Sequence, residues 1–409
     1  MPTLWLMLAC TSSDAPEPAT VTPLPETVVA PSEVELRLPD KVTYTPYKAP
    51  ISPDLERVMA ELGAVVDLHA GDPANPWAIA HGMLARGNGF VLTNGEPALT
   101  WLYSNYATLQ TIEGVEYPAF PRTTADGVKV EPHTDLLLKV FTETGVDPST
   151  IVMVDGREFE VADTWRHSLK TTFIRVEAGG ETKSFDNPND MPWGVQALAQ
   201  WGPEEMSWTA YEGTEMQMDD TTKLMVHVLT SENDFIIRSM ISGEPFKKEK
   251  QGIHNYTCGG AHLLQGSAFA VARGYGNSDD RDKMEVNAKV LYYRYGIEVA
   301  QVDGMIAEYP NFRIQLLSQQ LKFIGHFLES AHKLSALGLY TPDATEQQIL
   351  LTAVDDLIGV VKQLKAYGAL DNLDDLRAEN EQLYLDLVGD SAHAINGLEI
   401  AIGNRPVRY

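Results

Sequence analysis

Cysteine is nearly absent: the 409 residues hold two, Cys10 and Cys258. That excludes a disulfide framework of the kind that supports small secreted domains. Positive charge is also scarce, with 31 Lys and Arg against 57 Asp and Glu, a net charge of −26. Nucleic acid and anionic lipid are therefore excluded as partners of the folded body, because both require clustered Lys and Arg. Beyond the N-terminus no segment approaches ~18 consecutive apolar residues, so nothing there reads as a membrane-spanning helix. No fixed-period repeat is visible, which argues against an open solenoid. What remains is a chain with 44% hydrophobic residues, enough for a substantial core.

The N-terminus carries a different signal. Leu4-Trp5-Leu6-Met7-Leu8-Ala9 runs into Cys10 and then into a polar, proline-rich stretch. An apolar run closed by a small residue and a cysteine is how a bacterial lipoprotein begins, so residues 1–10 read as a signal segment ending at a lipidated Cys10. Residues 1–9 contain no Lys or Arg. Residues 11–50, with Pro16, Pro18, Pro23, Pro25 and Pro31, cannot bury enough apolar surface to fold and read as a disordered tether. The expected location is the cell envelope, lipid-anchored through Cys10, with the outer membrane preferred because Thr11 rather than Asp follows the cysteine.

Residues 51–409 form the body. Leu55, Val58, Met59, Leu62, Val65 and Val66 recur at spacings of three and four, one helical face. Similar patterns cover 76–87, 96–106, 134–144, 161–176, 191–201, 221–242, 259–274, 281–300, 313–337, 345–367 and 373–401, about twelve helices in all. The fold expected is all-α, an (α/α)6-type toroid whose inner helices point at a central cavity. One small β-hairpin is expected where Ile151-Val-Met-Val154 and Arg157-Glu-Phe-Glu-Val161 flank Asp155-Gly156, a good two-residue turn. Segments 107–132 and 177–190 read as ordered loops. The acidic helices from about residue 371, with a break expected near Gly389, read as an appendage to the ring.

Chemistry concentrates in His254-Asn-Tyr-Thr-Cys258-Gly-Gly-Ala-His262. Three capable side chains fall four residues apart, a spacing that suits a zinc site of His254, Cys258 and His262 or a thiolate–imidazole pair. The glycines place a helix start near Gly259, where the dipole would favour a thiolate. The bland reading is a small buried cysteine and a histidine bonded to backbone. His81 lies near an apolar helix face, as core histidines do, and His133 stands at a helix start before Asp135. Trp193, Trp201 and Tyr292 are aromatic side chains able to hold a substrate or simply to pack.

Gln301-Val302-Asp303-Gly304, read as a turn after a helix, resembles turns of the terpenoid cyclase and protein prenyltransferase toroids. Cys258-Gly-Gly-x-His262 is similar to a segment of uncharacterised bacterial lipoproteins built on that plan. So are Trp77-Ala-Ile-Ala-His81-Gly, His133-Thr-Asp-Leu-Leu and Val154-Asp-Gly-Arg-Glu-Phe-Glu-Val-Ala-Asp163. These pieces span 77–304 and imply a toroid. They do not imply the family's chemistry. The chain has no Asp-x-Asp-Asp motif, Asp279-Asp280-Arg-Asp282 misses the magnesium spacing, and residue 256 is Tyr where prenyltransferases place a zinc-binding Asp.

Three functions follow as expectations. The first is an envelope enzyme, a hydrolase or lyase acting on a glycan or other envelope polymer. It would use His81, His133, Cys258, His262 and Asp303 as catalytic groups, with Trp193, Trp201 and Tyr292 against substrate. The second is a non-catalytic binding or structural lipoprotein. The third is a zinc protein, zinc being the only cofactor the residues suggest.

Overall fold

Helix starts are written in the sequence as caps. Ser52 precedes Pro53 and accepts the Leu55 N–H at 3.1 Å. Asn75 precedes Pro76 and accepts the Ala78 N–H. Asn277 with Asp280, and Asp343 with Glu346, close reciprocal capping boxes. Each satisfies N–H groups that a helix end would otherwise leave unpaired.

The computed structural model describes residues 36–42, 51–177, 180–183, 190–246, 252–255 and 258–409. Cys10, the expected lipidation site, and most of the expected tether lie outside the described residues. The elements run as β1 (Lys41–Val42), α1 (Pro53–Val65), α2 (Pro76–Arg86), α3 (Ala98–Tyr106), β2 (Thr108–Ile112), β3 (Val115–Ala119) and α4 (Leu136–Thr144). Next come β4 (Ile151–Val154), β5 (Arg157–Glu160), α5 (Val161–Thr171), β6 (Ile174–Glu177), β7 (Gly180–Lys183) and α6 (Met191–Trp201). They are followed by β8 (Ser207–Thr209), β9 (Glu215–Gln217), α7 (Met218–Glu232), α8 (Asp234–Ser242) and α9 (Ala261–Ala272). The chain ends with α10 (Ser278–Glu308), α11 (Arg313–Ala336), α12 (Ala344–Ala366), α13 (Leu373–Glu379), α14 (Glu381–Ala401) and β10 (Val407–Arg408).

The protein is mostly helical, as expected, with fourteen α-helices among the described residues rather than twelve. Two expected segments each divide at an asparagine. Segment 221–242 breaks at Asn233, and 373–401 breaks at Asn380, whose side chain caps α14. The expected break at Gly389 does not occur.

The expected hairpin is present as β4–β5, with Val154 paired to Arg157. Among the described residues it is one of four: β2–β3, β6–β7 and β8–β9 are also antiparallel pairs. Three of the four turn on an acidic residue followed by glycine, both left-handed: Glu113–Gly114, Asp155–Gly156 and Glu212–Gly213. Only the Asp-Gly version is a familiar signal, which is why the loop expected over 107–132 concealed a hairpin. Residues 36–42, assigned to the tether from composition, lie on the body. β1 pairs with β10, and the Arg37 amide and guanidinium donate to the carbonyls of Trp201 and Gly202.

The acidic C-terminal region is not an appendage. α14 is buried along nearly its whole length and packs on α11, α2, α1 and α13. Helices α2, α4, α6, α9, α11 and α14 each touch the next in that order, and α14 touches α2. Two glycines bring α11 and α14 together. A Cβ on Gly397 would stand 2.8 Å from the Glu329 amide nitrogen, and one on Gly325 3.1 Å from that of Ala394. Gly397→Val should therefore lower stability by about 1–3 kcal/mol, the usual cost of overpacking, read as a fall in Tm.

Candidate functional site: a histidine-lined cavity

The helix α9 begins at Ala261, after a turn over Cys258–Gly260 in which both glycines are left-handed. This turn sets Cys258 and His262 on the wall of a cavity of about 90 Å3. His81 from α2, His326 from α11 and His393 from α14 line the same space, with His133 and Trp193 beside them. Four of the five expected catalytic side chains, His81, His133, Cys258 and His262, thus meet around one cavity, together with one expected aromatic, Trp193.

The others do not join them. Gln301–Gly304 lies inside α10 rather than in a turn, because α10 continues to Glu308. Asp303 is exposed there and accepts the Gln320 amide at 2.9 Å. Trp201 is fully buried in the core, and Tyr292 packs between Phe327 and Tyr340. His254 is buried 3.1 Å from the Asn233 side-chain oxygen, with its ring edge-on to Phe235, and does not line the cavity. The expected zinc trio is therefore not gathered at one point.

Around the cavity the rings form a chain of contacts. His326 and His393 have centroids 4.0 Å apart, His262 and His326 4.9 Å, and His81 and His393 5.4 Å. Trp193 stacks on His133 at 5.3 Å and leans on His262 at 4.3 Å. Gly389 has a purpose here: a Cβ at that position would sit 2.7 Å from the Trp77 ring and 3.3 Å from His81. Glycine lets α2 bring His81 against α14.

Beneath the rings lies a buried ionic network. Glu329 is 0% exposed. Its Oε1 accepts from Lys333 Nζ at 2.7 Å and from Asn396 Nδ2 at 2.7 Å. Its Oε2 accepts from His393 Nδ1 at 2.8 Å and Gln265 Nε2 at 3.3 Å, with His326 Nδ1 at 3.7 Å. Lys333 also meets Glu143, and Glu143 pairs with Lys139 at 2.7 Å. Two carboxylates therefore face two ammonium groups, and the core stays neutral only while the histidines are neutral. That is their state. Burial lowers His81 to about 4, and burial, reinforced by the mutual repulsion that protonation of neighbouring rings would bring, pushes His262 and His393 well below the ordinary histidine value. Burial opposes charge on Glu329 as well, but Lys333 and His393 hold its carboxyl well below the usual range.

Neutral buried imidazoles are metal ligands in waiting, since no proton competes for the lone pair. His81 donates its Nδ1–H to the Trp77 carbonyl at 2.8 Å, which leaves Nε2 carrying the lone pair. Among the described residues one group of donors is close enough to share an ion: His326, Glu329 and His393, whose ligand atoms all lie within 4.8 Å of one another. No family model, curated protein or solved structure matches the chain.

None of these three was singled out from sequence. A signal was available. His326-x-x-Glu329 places both groups on one helical face, and Lys333 follows Glu329 by four residues on that face. Asp386, Asp390 and His393, at spacings of four and three, likewise share one face of α14. Asp386 and Asp390 answer Lys322 at 3.1 and 3.9 Å where it enters the cavity.

Proposed function

We propose that this is an envelope lipoprotein, anchored through Cys10, whose helical body binds a divalent transition-metal ion at His326, Glu329 and His393. One observation carries the metal reading: three donors from α11 and α14 converge, fully buried, beside two further neutral imidazoles, His81 and His262. Imidazole with a single carboxylate suits zinc, iron or copper better than calcium or magnesium. Binding through Nδ1 would require His393 to carry its single ring proton on Nε2 instead, with Glu329 already charged. The α/α toroid is proposed for the body on the circuit of contacts from α2 through α4, α6, α9, α11 and α14.

The expected zinc ligands His254 and Cys258 have no part in this reading. A second reading keeps the cavity for acid–base chemistry on a glycan or another envelope polymer. It is favoured by His133, held by Asp190 at 2.6 Å and stacked on Trp193, as a general base is positioned. Size favours the ion. Pockets for sizeable organic ligands start at about 300 Å3, and this cavity is about 90 Å3.

Purified protein, stripped with chelator and titrated with zinc and ferrous ion by calorimetry, should bind one equivalent. His326→Ala and His393→Ala should each weaken binding by about 10-fold or more. Asp303→Asn, exposed on α10, should leave it unchanged. An unaltered isotherm in both histidine variants, or no binding by the parent protein, would remove the proposal.

A further inference from the structure

On the far side of Lys333 from the histidines lies a second and larger cavity, of about 220 Å3. At roughly 30 Å3 per molecule, that is the volume of about seven waters. Its walls come from the ends of α2, α4 and α14 and from the segment leading into β10. In a chain of net charge −26 it is lined by four cations, Arg86, Lys333, Arg405 and Arg408, and by one carboxylate, Glu143.

Accounting for each charge leaves a surplus. Arg86 is answered by Asp67, which accepts from its Nε and Nη2 at 2.7 and 2.8 Å. Lys333 and Lys139 are balanced by Glu143 and Glu329. Arg405 donates to the carbonyls of Leu84 and Ala85, so it caps α2 without meeting a carboxylate. Burial pushes its guanidinium down from the ordinary arginine value, against the charges of Glu399 and Glu143. Arg408 lies flat against Gly145, where a Cβ would stand 2.4 Å from its Nε. Its carbonyl accepts from Gln200, and among the described residues its guanidinium has no ion pair.

Two guanidinium groups that form no ion pair among the described residues, in a pocket of this size floored by a buried lysine, make a receptor for negative charge. Arginine is suited to it because its fork matches two oxygens of one anion. We infer that this pocket binds a small oxyanion carrying two negative charges, held by Arg405 and Arg408. The pocket shares no lining residue with the histidine cavity and is joined to the proposed metal site through Lys333, which donates to Glu329.

The probes are inorganic phosphate and succinate, tested on the whole protein by calorimetry and thermal melts against sodium chloride of equal ionic strength. At least one should bind and raise Tm above the chloride control, and the two arms tell a phosphate site from a dicarboxylate site. Arg408→Ala should weaken binding about 10-fold or more, the usual loss for a charged hydrogen-bonding partner. Arg408→Lys should recover part of it. Arg408→Gln, which keeps the bulk over Gly145, covers the case in which the alanine variant does not fold. No heat and no Tm gain over chloride from either anion would overturn the inference. So would a folded Arg408→Ala or Arg408→Gln variant that binds as tightly as the parent.

Discussion

Glu329→Ala should destabilise the protein by about 3–5 kcal/mol, a large share of the roughly 5–15 kcal/mol that holds an ordinary domain folded. The cost comes from what is left behind more than from what is removed. In the parent, Glu329 and Glu143 neutralise Lys333 and Lys139, all buried on the shared face of α4, α11 and α14. Without Glu329 two ammonium groups share one carboxylate, and Asn396 and His393 lose their acceptor. A double variant tests the cause. Glu329→Leu with Lys333→Met removes one charge of each sign and keeps the volume, so it should be more stable than either single variant. Chemical denaturation of the four proteins reads the cycle. A double variant that loses the sum of the single losses would show that the residues act by packing and not by charge.

Acid should unfold the protein well before its surface carboxylates are protonated. Burial lowers His81 and His332 to about 4 from 6.5. The unfolded chain therefore binds protons between about pH 6.5 and 4 that the folded chain refuses. Stability is complete above 6.5 and falls as pH drops toward 4, by on the order of 3 kcal/mol for each histidine. His69, His167, His262, His326 and His393 act in the same direction. Three groups oppose them. Burial raises Asp135 to about 6, burial with the Asp135 charge raises Glu131, and burial raises Asp356, so these carboxyls take up protons in the folded state first. Seven histidines outnumber three carboxyls, and the net slope is destabilising toward acid. Melting metal-free protein from pH 7.5 to 4.5 should show a steep loss of Tm below about pH 6.5, shallower in His332→Gln. A flat profile would mean that these histidines are charged or solvated in the folded state.

The site was half legible. The cluster around Cys258 led to the right cavity, because two glycines before an apolar helix mark a helix start and such starts line interior space. His81 and His133 were found as well, although a lone histidine on an apolar face is ordinarily a packing residue. Asp303 misled: Gly304 suggested a turn, but one glycine costs a long helix only about 1 kcal/mol and α10 runs through it. Gly389 misled in the same way, since its missing side chain serves the neighbouring α2 and not a bend.

Local pattern alone determined the helical class, all twelve of whose expected segments begin or end within a few residues of an observed helix boundary, the Asp-Gly hairpin and the helix start at Cys258–Gly260. Each depends on neighbours within one or two turns, where periodicity, caps and glycine act directly. Only the tertiary structure decided that α14, acidic in composition, lies at the centre, and that His326 and Glu329 on α11 meet His393 on α14. Pairing across 64 residues turns on which helix faces approach, and that is set by Gly325 and Gly397 packing backbone to backbone. The buried acids of α14 are tolerated for the same reason: Lys322 arrives from α11 to meet them.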